Sequence, residues 1–327
     1  FTCIFHISLI FYFYKKDSFF KEWILIGDEN YKDIINRNFQ NPNFKFKLKL
    51  VSNLSELKLI DFKKNNYEGI IISSDKLVES FDVSFLQNYN LSFISLKDWC
   101  RTFLQRYPPE FISSFDILRI NRILKDKSYE IQIKRIADIF LSLIILFIFS
   151  PILLFFSCLI FLEDRGPIIY SQIRTGLNSK SFRIYKLRSM YVDSEKNGAT
   201  WAISNDSRIS KVGRIIRATR IDELPQLISV LKGEMSLIGP RPERPEFDQL
   251  LHKKIPFYYE RYLVKPGLSG WAQVNYPYGA SERDSLNKLS YDLFYIENFS
   301  FFLDLIIFIK TIKLVINAKG SEQGSKI

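Results

Sequence analysis

Histidine and cysteine are scarce in this chain, with two His and three Cys among 327 residues. His6 and His252 have no ligand-spaced partners, and Cys3, Cys100 and Cys158 are far apart and odd in number. That argues against zinc sites, His-based catalysis and a disulfide framework, and fits a reducing compartment. A glycine-rich phosphate loop is also missing. The first strand-like run, residues 23–27, turns at Gly27-Asp28-Glu29-Asn30, with no second or third glycine and two acids where a pyrophosphate would lie. Nor does an initiator methionine open the sequence. It starts at Phe1 in an apolar run, residues 3–14, that stops at Lys15 and Lys16. The run is too short to span a bilayer, so residues 1–16 read as the end of a truncated transmembrane helix, with the lysines on the cytoplasmic side. Without a cationic leader or a small-residue cleavage site, a signal peptide is the weaker reading.

What the chain does have is charge and apolar bulk together. The formal net charge is +11, 47% of residues are hydrophobic, and 30 are Phe. This combination fits a surface that meets anionic headgroups or phosphorylated ligands. Nucleic-acid binding would explain the charge but not the apolar stretch described below, and the interleaving of aromatic and basic residues it needs is absent.

The length allows about two domains. In residues 17–115, strand-like runs at 23–27, 44–51, 69–72 and 91–96 alternate with amphipathic stretches such as 31–39. This predicts a Rossmann-like α/β domain with a parallel sheet, in a regulatory or packing role rather than a cofactor-binding one. Residues 116–133 read as a linker helix. Residues 134–327 then form a membrane-associated α+β domain.

That second domain opens with Lys134-Arg135 and Asp138, followed by 24 uncharged apolar residues, 139–162. The length would span a bilayer. However, Ser150-Pro151 falls near the midpoint, where proline deletes a backbone hydrogen bond. Residues 165–235 also carry 13 Lys/Arg against 6 Asp/Glu, so both flanks favour the cytoplasmic side. A re-entrant helix-break-helix reconciles these features, and an ordinary kinked span is the alternative. Strands are expected at 168–173 and 182–190 around a turn at 176–180, and a rigid loop at 236–244 holds Arg241 between two prolines. A second loop, 265–271, presents Trp271 for stacking or as an interface anchor. Residues 299–316 suggest an amphipathic helix along the headgroup region, with a core helix as the simpler alternative.

The chemistry centres on Arg220-Ile221-Asp222-Glu223-Leu224-Pro225-Gln226. Here two adjacent carboxylates follow the cations Arg214, Arg217 and Arg220 and precede an apolar helical pattern. Taken alone, the pair is an acidic helix cap. Beside Lys186, Arg188, Arg220 and Arg241, it has the parts that phosphoryl transfer needs: an aspartate that can attack phosphorus, an oxygen ligand for Mg²⁺, and cations for phosphate oxygens.

Residues 134–320 resemble the bacterial sugar transferase family, the monotopic phosphoglycosyl transferases. The residues that carry the resemblance are Lys134-Arg135-Ile136-Ala137-Asp138, Ser150-Pro151, residues 172–176, Tyr185-Lys186-Leu187-Arg188-Ser189-Met190, residues 220–226, residues 236–243 and residues 265–276. By resemblance, Asp222 is the nucleophile that carries a phosphosugar, and Glu223 is a Mg²⁺ ligand. Lys186, Arg188, Arg220 and Arg241 bind substrate phosphate, and Ser150-Pro151 breaks a re-entrant helix on the cytoplasmic leaflet of the bacterial inner membrane. The implied reaction moves a sugar-1-phosphate from a UDP-sugar to polyprenyl phosphate and releases UMP, as a first step in exopolysaccharide, capsule or O-antigen synthesis. The implied partners are those two substrates and membrane lipid, with homodimer formation left open and no nucleic acid. The N-terminal region is similar to the domain ahead of the catalytic part in larger members. One departure is Ser207, where a proline is expected between Asp206 and Arg208. A non-catalytic membrane scaffold is the alternative function, and it gives no reason for both carboxylates to stand beside a basic site.

Overall fold

The computed structural model describes residues 21–27, 31, 46–52, 56–57, 60, 67–73, 91–192, 194, 206–276, 279 and 281–316, and it divides into two units between Tyr107 and Pro108. The expected first transmembrane segment and nearly all of the expected helix at 31–39 lie outside the described residues.

In the N-terminal unit, strands β1 (Lys21–Ile26), β2 (Phe46–Val51), β3 (Tyr67–Ile72) and β4 (Ser92–Ser95) form one parallel sheet in the order β2-β1-β3-β4. Ile24 stands opposite Lys49 on one side and Ile70 on the other. Trp23, Ile24, Leu25 and Ile26 are all buried, so β1 reads as a continuous apolar run rather than an alternating one, as expected where both sheet faces are covered. Ile24, Ile26, Val51, Leu57 and Ile70 make one core cluster, and each such side chain contributes about 1.5–3 kcal/mol through burial. The Trp23 ring packs against Phe103 at 5.0 Å and Trp99 at 6.2 Å. Trp99 ends the short helix α1 (Leu96–Trp99), which Ser95 caps by accepting from Asp98 N.

The expected linker helix differs in its bounds and its company. Helix α2 (Ser114–Asp126) starts at a capping box formed by Ser113 and Asp116, and Lys127 separates it from α3 (Ser128–Asp164). Residues 128–133 are therefore the first turns of the long helix, and α2 belongs to the C-terminal unit, where Arg119 pairs with Glu297 at 2.5 Å.

That unit has no large sheet among the described residues. Strands β5 (Ile169–Thr175) and β6 (Ser181–Leu187) form an antiparallel hairpin; β7 (Ser236–Ile238) and β8 (Gly267–Ser269) pair in parallel. Helices surround them: α4 (Lys211–Ala218), α5 (Leu227–Lys232), α6 (Pro245–Lys254), α7 (Trp271–Asn275), α8 (Glu282–Glu297) and α9 (Phe301–Ile316).

Among the described residues, α3 is the one helix long and apolar enough to cross a membrane. Sequence reasoning expected a break at Ser150-Pro151, whereas the helix runs from Ser128 to Asp164 with Pro151 inside it. The reason is local: proline cannot donate to the Phe147 carbonyl, and the Ser150 hydroxyl donates to it instead at 2.8 Å. Both ends of α3 are fastened to the C-terminal unit. Near its start, Lys134 pairs with Asp304 at 2.6 Å, Arg135 donates to Val230 O and Leu231 O, and Asp138 Oδ1 accepts from Leu237 N. Past the proline, Leu153, Phe156 and Ile160 pack with Leu187 of β6 and Ile216 of α4, Glu163 accepts from Lys211 N, and Asp164 pairs with Arg188. Between these anchors Leu143, Phe147 and Ile148 are exposed.

Helix α9 has two apolar faces. Leu303 and Ile307 are buried with Asp304, which accepts from Lys134 and from Tyr295 Oη at 2.8 Å. Phe301, Leu305, Ile309, Ile312 and Ile316 are exposed.

Candidate active site

The two central carboxylates are placed by a change of backbone direction. Helix α4 ends at Ala218 and is capped by Thr219, Arg220 takes a left-handed conformation (φ 60°), and a 3₁₀ turn over Ile221–Gln226 leads into α5. A non-glycine residue in this region is strained by about 1 kcal/mol or more and persists only where its surroundings hold it. Pro225 fits because the turn does not need its missing N–H. Asp222 and Glu223 are both buried, at 7% and 8% exposure, although they are consecutive.

Their surroundings separate them. Glu223 Oε1 accepts from Lys186 Nζ of β6 at 3.0 Å and from Arg241 Nη2 at 2.5 Å; Oε2 accepts from Arg241 Nη1 at 3.3 Å, and Arg220 lies 3.9 Å away. Burial opposes its charge, but Arg241 and Lys186 hold its carboxyl well below the usual range. Asp222 has no hydrogen-bond partner among the described residues, and burial together with the neighbouring Glu223 charge pushes it up to about 6. Lys186, Arg217 and Arg220 act in the opposite direction on Asp222 without cancelling that rise. Lys186 itself is pushed down by burial. The result is one carboxylate saturated by cations beside one that is uncommitted and ionised near neutral pH.

Arg241 approaches from a loop whose backbone is engaged along its length. The carbonyls of Pro240, Arg241, Pro242 and Glu243 accept, in turn, from Gly267 N, Arg261 Nη2, Arg174 Nη1 and Thr175 N. Gly239 N donates to Ser269 O, and a Cβ on Gly267 would lie 2.0 Å from Gly239 N, so only glycine lets the two loops meet. The rigidity expected from the prolines is thus reinforced by four donors from elsewhere in the unit.

Lys186, Arg220 and Arg241 gather on Glu223, but Arg188 does not. Arg188 is buried against Asp164 at the end of α3, where it ties the apolar helix to β6. Arg188 lies just past the last residue of β6, Leu187, so the strand does not carry it onto the face of Lys186. Ser150 and Pro151 lie within α3, on the arc between its two anchored ends. Trp271 is a core residue rather than a surface stack: it is buried on Phe294, with Lys310 Nζ 4.3 Å above its ring. Asp206 and Arg208 keep their pairing, at 2.8 and 2.6 Å, without the expected proline. Sequence reasoning passed over Arg174, Arg261 and Asp292. The usable signal was Asp292, a carboxylate inside the apolar run Leu289 to Ile296 of α8.

A buried Asp-Glu pair ringed by cations thus lies in the same unit as an apolar helix long enough to cross a membrane. Residues 129–318 match the bacterial sugar transferase family, and the chain belongs to it. Over 189 residues it is 48% identical to the UDP-N-acetylgalactosamine-undecaprenyl-phosphate N-acetylgalactosaminephosphotransferase of Aeromonas hydrophila, covering 58% of this chain and 45% of that protein. It is 53% identical over 131 residues to a putative undecaprenyl-phosphate N-acetylgalactosaminyl 1-phosphate transferase of Bacillus subtilis (40% of this chain, 73% of that protein). With the undecaprenyl-phosphate glucose phosphotransferase of Komagataeibacter xylinus it shares 38% identity over 226 residues, or 67% of this chain and 39% of that one. The chain thus spans less than half of the Aeromonas and Komagataeibacter relatives it matches.

Proposed function

We propose that this protein transfers a sugar-1-phosphate from a UDP-sugar to polyprenyl phosphate through a covalent intermediate on Asp222. In the first step an Asp222 carboxylate oxygen attacks the sugar-bearing phosphorus, the bond from that phosphorus to the bridging oxygen breaks, and UMP departs with the electron pair. In the second, a phosphate oxygen of the polyprenyl acceptor attacks the same phosphorus and frees the Asp222 carboxylate. The product is a polyprenyl diphosphosugar. The observation that carries this reading is the contrast between the paired residues: Glu223 accepts from Lys186 and Arg241, while Asp222 is buried beside it with no hydrogen-bond partner among the described residues. Lys186 and Arg241 are the cations that the departing UMP oxygen would meet.

The donor set fits Mg²⁺. That ion commonly takes one or two protein carboxylates together with substrate phosphates and water, and Glu223 offers one such carboxylate beside Asp222. Glu223 would hold it in exchange for its present contacts with Lys186 and Arg241, which would turn to the diphosphate. Bound there, Mg²⁺ would neutralise diphosphate charge.

The topology of α3 supports a re-entrant placement on the cytoplasmic leaflet of the inner membrane. Only about 22 Å of helix, at 1.5 Å per residue, separates Asp138 from Leu153, against a hydrocarbon core of about 30 Å. Anchors on both sides of Pro151 belong to the same unit. The exposed apolar face of α9 offers a second lipid contact on that side.

The test is UMP release by the detergent-solubilised 327-residue chain with Mg²⁺, using UDP-N-acetylgalactosamine and UDP-glucose with and without undecaprenyl phosphate. Turnover dependent on lipid and on one sugar supports the transferase and names its donor. No release from either by folded protein would return the scaffold alternative.

A further inference from the structure

Behind the Arg241 loop lies a second arginine, buried and committed to a single geometry. Arg261 Nη2 donates to the Arg241 carbonyl at 2.9 Å and lies 2.9 Å from Asp292 Oδ2, and Nη1 donates to Tyr258 Oη at 2.8 Å. The guanidinium also lies over the rings of Tyr258 and Tyr262, at 5.3 and 5.7 Å. Asp292, on α8, is 1% exposed, and its neighbours Leu293 and Tyr291 are core residues. A buried ion pair of this kind stabilises a fold no better than apolar side chains of similar volume. What apolar side chains could not supply is a donor aimed at the carbonyl of the residue whose side chain meets Glu223.

The three links form a chain: Asp292 holds Arg261, Arg261 holds the Arg241 backbone, and the Arg241 side chain reaches Glu223 Oε1. Resting on the transferase reading above, we propose that Arg261, fixed by Asp292, is a positioning residue for Arg241, pre-aiming its guanidinium at the donor diphosphate. A cation whose backbone is already fixed loses little freedom when phosphate arrives, so the effect belongs in the chemical step rather than in the stability of the fold.

The experiment is a double-mutant cycle in the full chain, following UMP release from whichever of UDP-N-acetylgalactosamine or UDP-glucose the unmodified protein turns over. Arg261→Gln and Asp292→Asn should each lower kcat/KM about 10–100-fold, mainly through kcat. In an Arg241→Ala background, assayed with radiolabelled donor, the same substitutions should cost less than about twofold, because their route to the substrate is gone. Losses that multiply independently in that background, or unchanged activity in the single variants, would overturn the proposal. If Arg261→Gln does not fold, Asp292→Asn, which keeps the shape and removes the charge, decides by the same criterion. An unmodified chain that releases no UMP would instead overturn the transferase reading itself.

Discussion

The N-terminal sheet buries Ile24, Ile26, Val51, Leu57 and Ile70 together, and among the described residues of that unit Arg106 is the one buried charged side chain. The C-terminal unit, with two short strand pairs, buries Asp138, Arg188, Asp222, Glu223, Asp248, Arg261, Asp292 and Asp304. Apolar burial stabilises without direction, whereas buried charge is costly unless paired and places groups in fixed geometry. The first unit is built as a core. The second accepts electrostatic cost to hold a constellation, which is where perturbed titration and function are expected to coincide.

The sharpest break of this contrast is at the paired carboxylates. Asp222→Asn is expected to lower covalent turnover, read as UMP release, by at least about 10³-fold, because an amide cannot serve as the nucleophile. The same substitution should raise thermal stability at pH 7.5. Asp222 holds its proton more tightly folded than unfolded, so between 3.8 and about 6 the native state binds more protons and stability falls as pH rises. Glu223→Gln should act in the opposite direction on stability. The Glu223 carboxyl is held well below 4.5, so its contribution is present above that pH and is lost as pH falls through its folded value. A Glu223→Gln protein as stable as the unmodified one would remove the distinction between the two acids.

A smaller effect is expected from pH alone. Attack needs ionised Asp222, so kcat/KM for UMP release should fall about tenfold per unit below pH 6. A profile flat down to pH 5 would mean that another group sets the chemistry.

The smallest effect on activity is predicted in the other unit. Ile70→Ala, in the middle of β3, should destabilise the N-terminal unit by about 2–5 kcal/mol, read by thermal denaturation, and leave UMP release within twofold. A large loss of activity from that substitution would make the sheet part of the catalytic apparatus and erase the comparison.

Strands β1 and β3 were legible because fully covered parallel strands are uninterrupted apolar runs, and Ile70-Ile71-Ile72 admits few other readings. The hairpin of β5 and β6 was legible from its alternation and the turn after Gly176. Lys186, Arg220 and Arg241 were expected on substrate phosphate from three separate motifs, and their convergence on Glu223 was not legible, because they stand on β6, the turn after α4 and the loop after β7. Nor was the placement of Arg188, because it lies just past the end of β6 and its partner Asp164 comes from the end of α3, 24 residues earlier. The continuity of α3 through Pro151 depended on a hydroxyl one residue earlier, which a propensity argument treats as neutral.

By itself the sequence determined the apolar 24-residue stretch, the adjacent carboxylates and the cations available to them, because composition and local spacing are enough to specify which chemistry is present. Only the tertiary structure decided which carboxylate is saturated and which is left uncommitted. Lys186 lies 37 residues before Glu223 and Arg241 lies 18 after it, and charge–charge energies depend on distance through the folded unit rather than on separation along the chain.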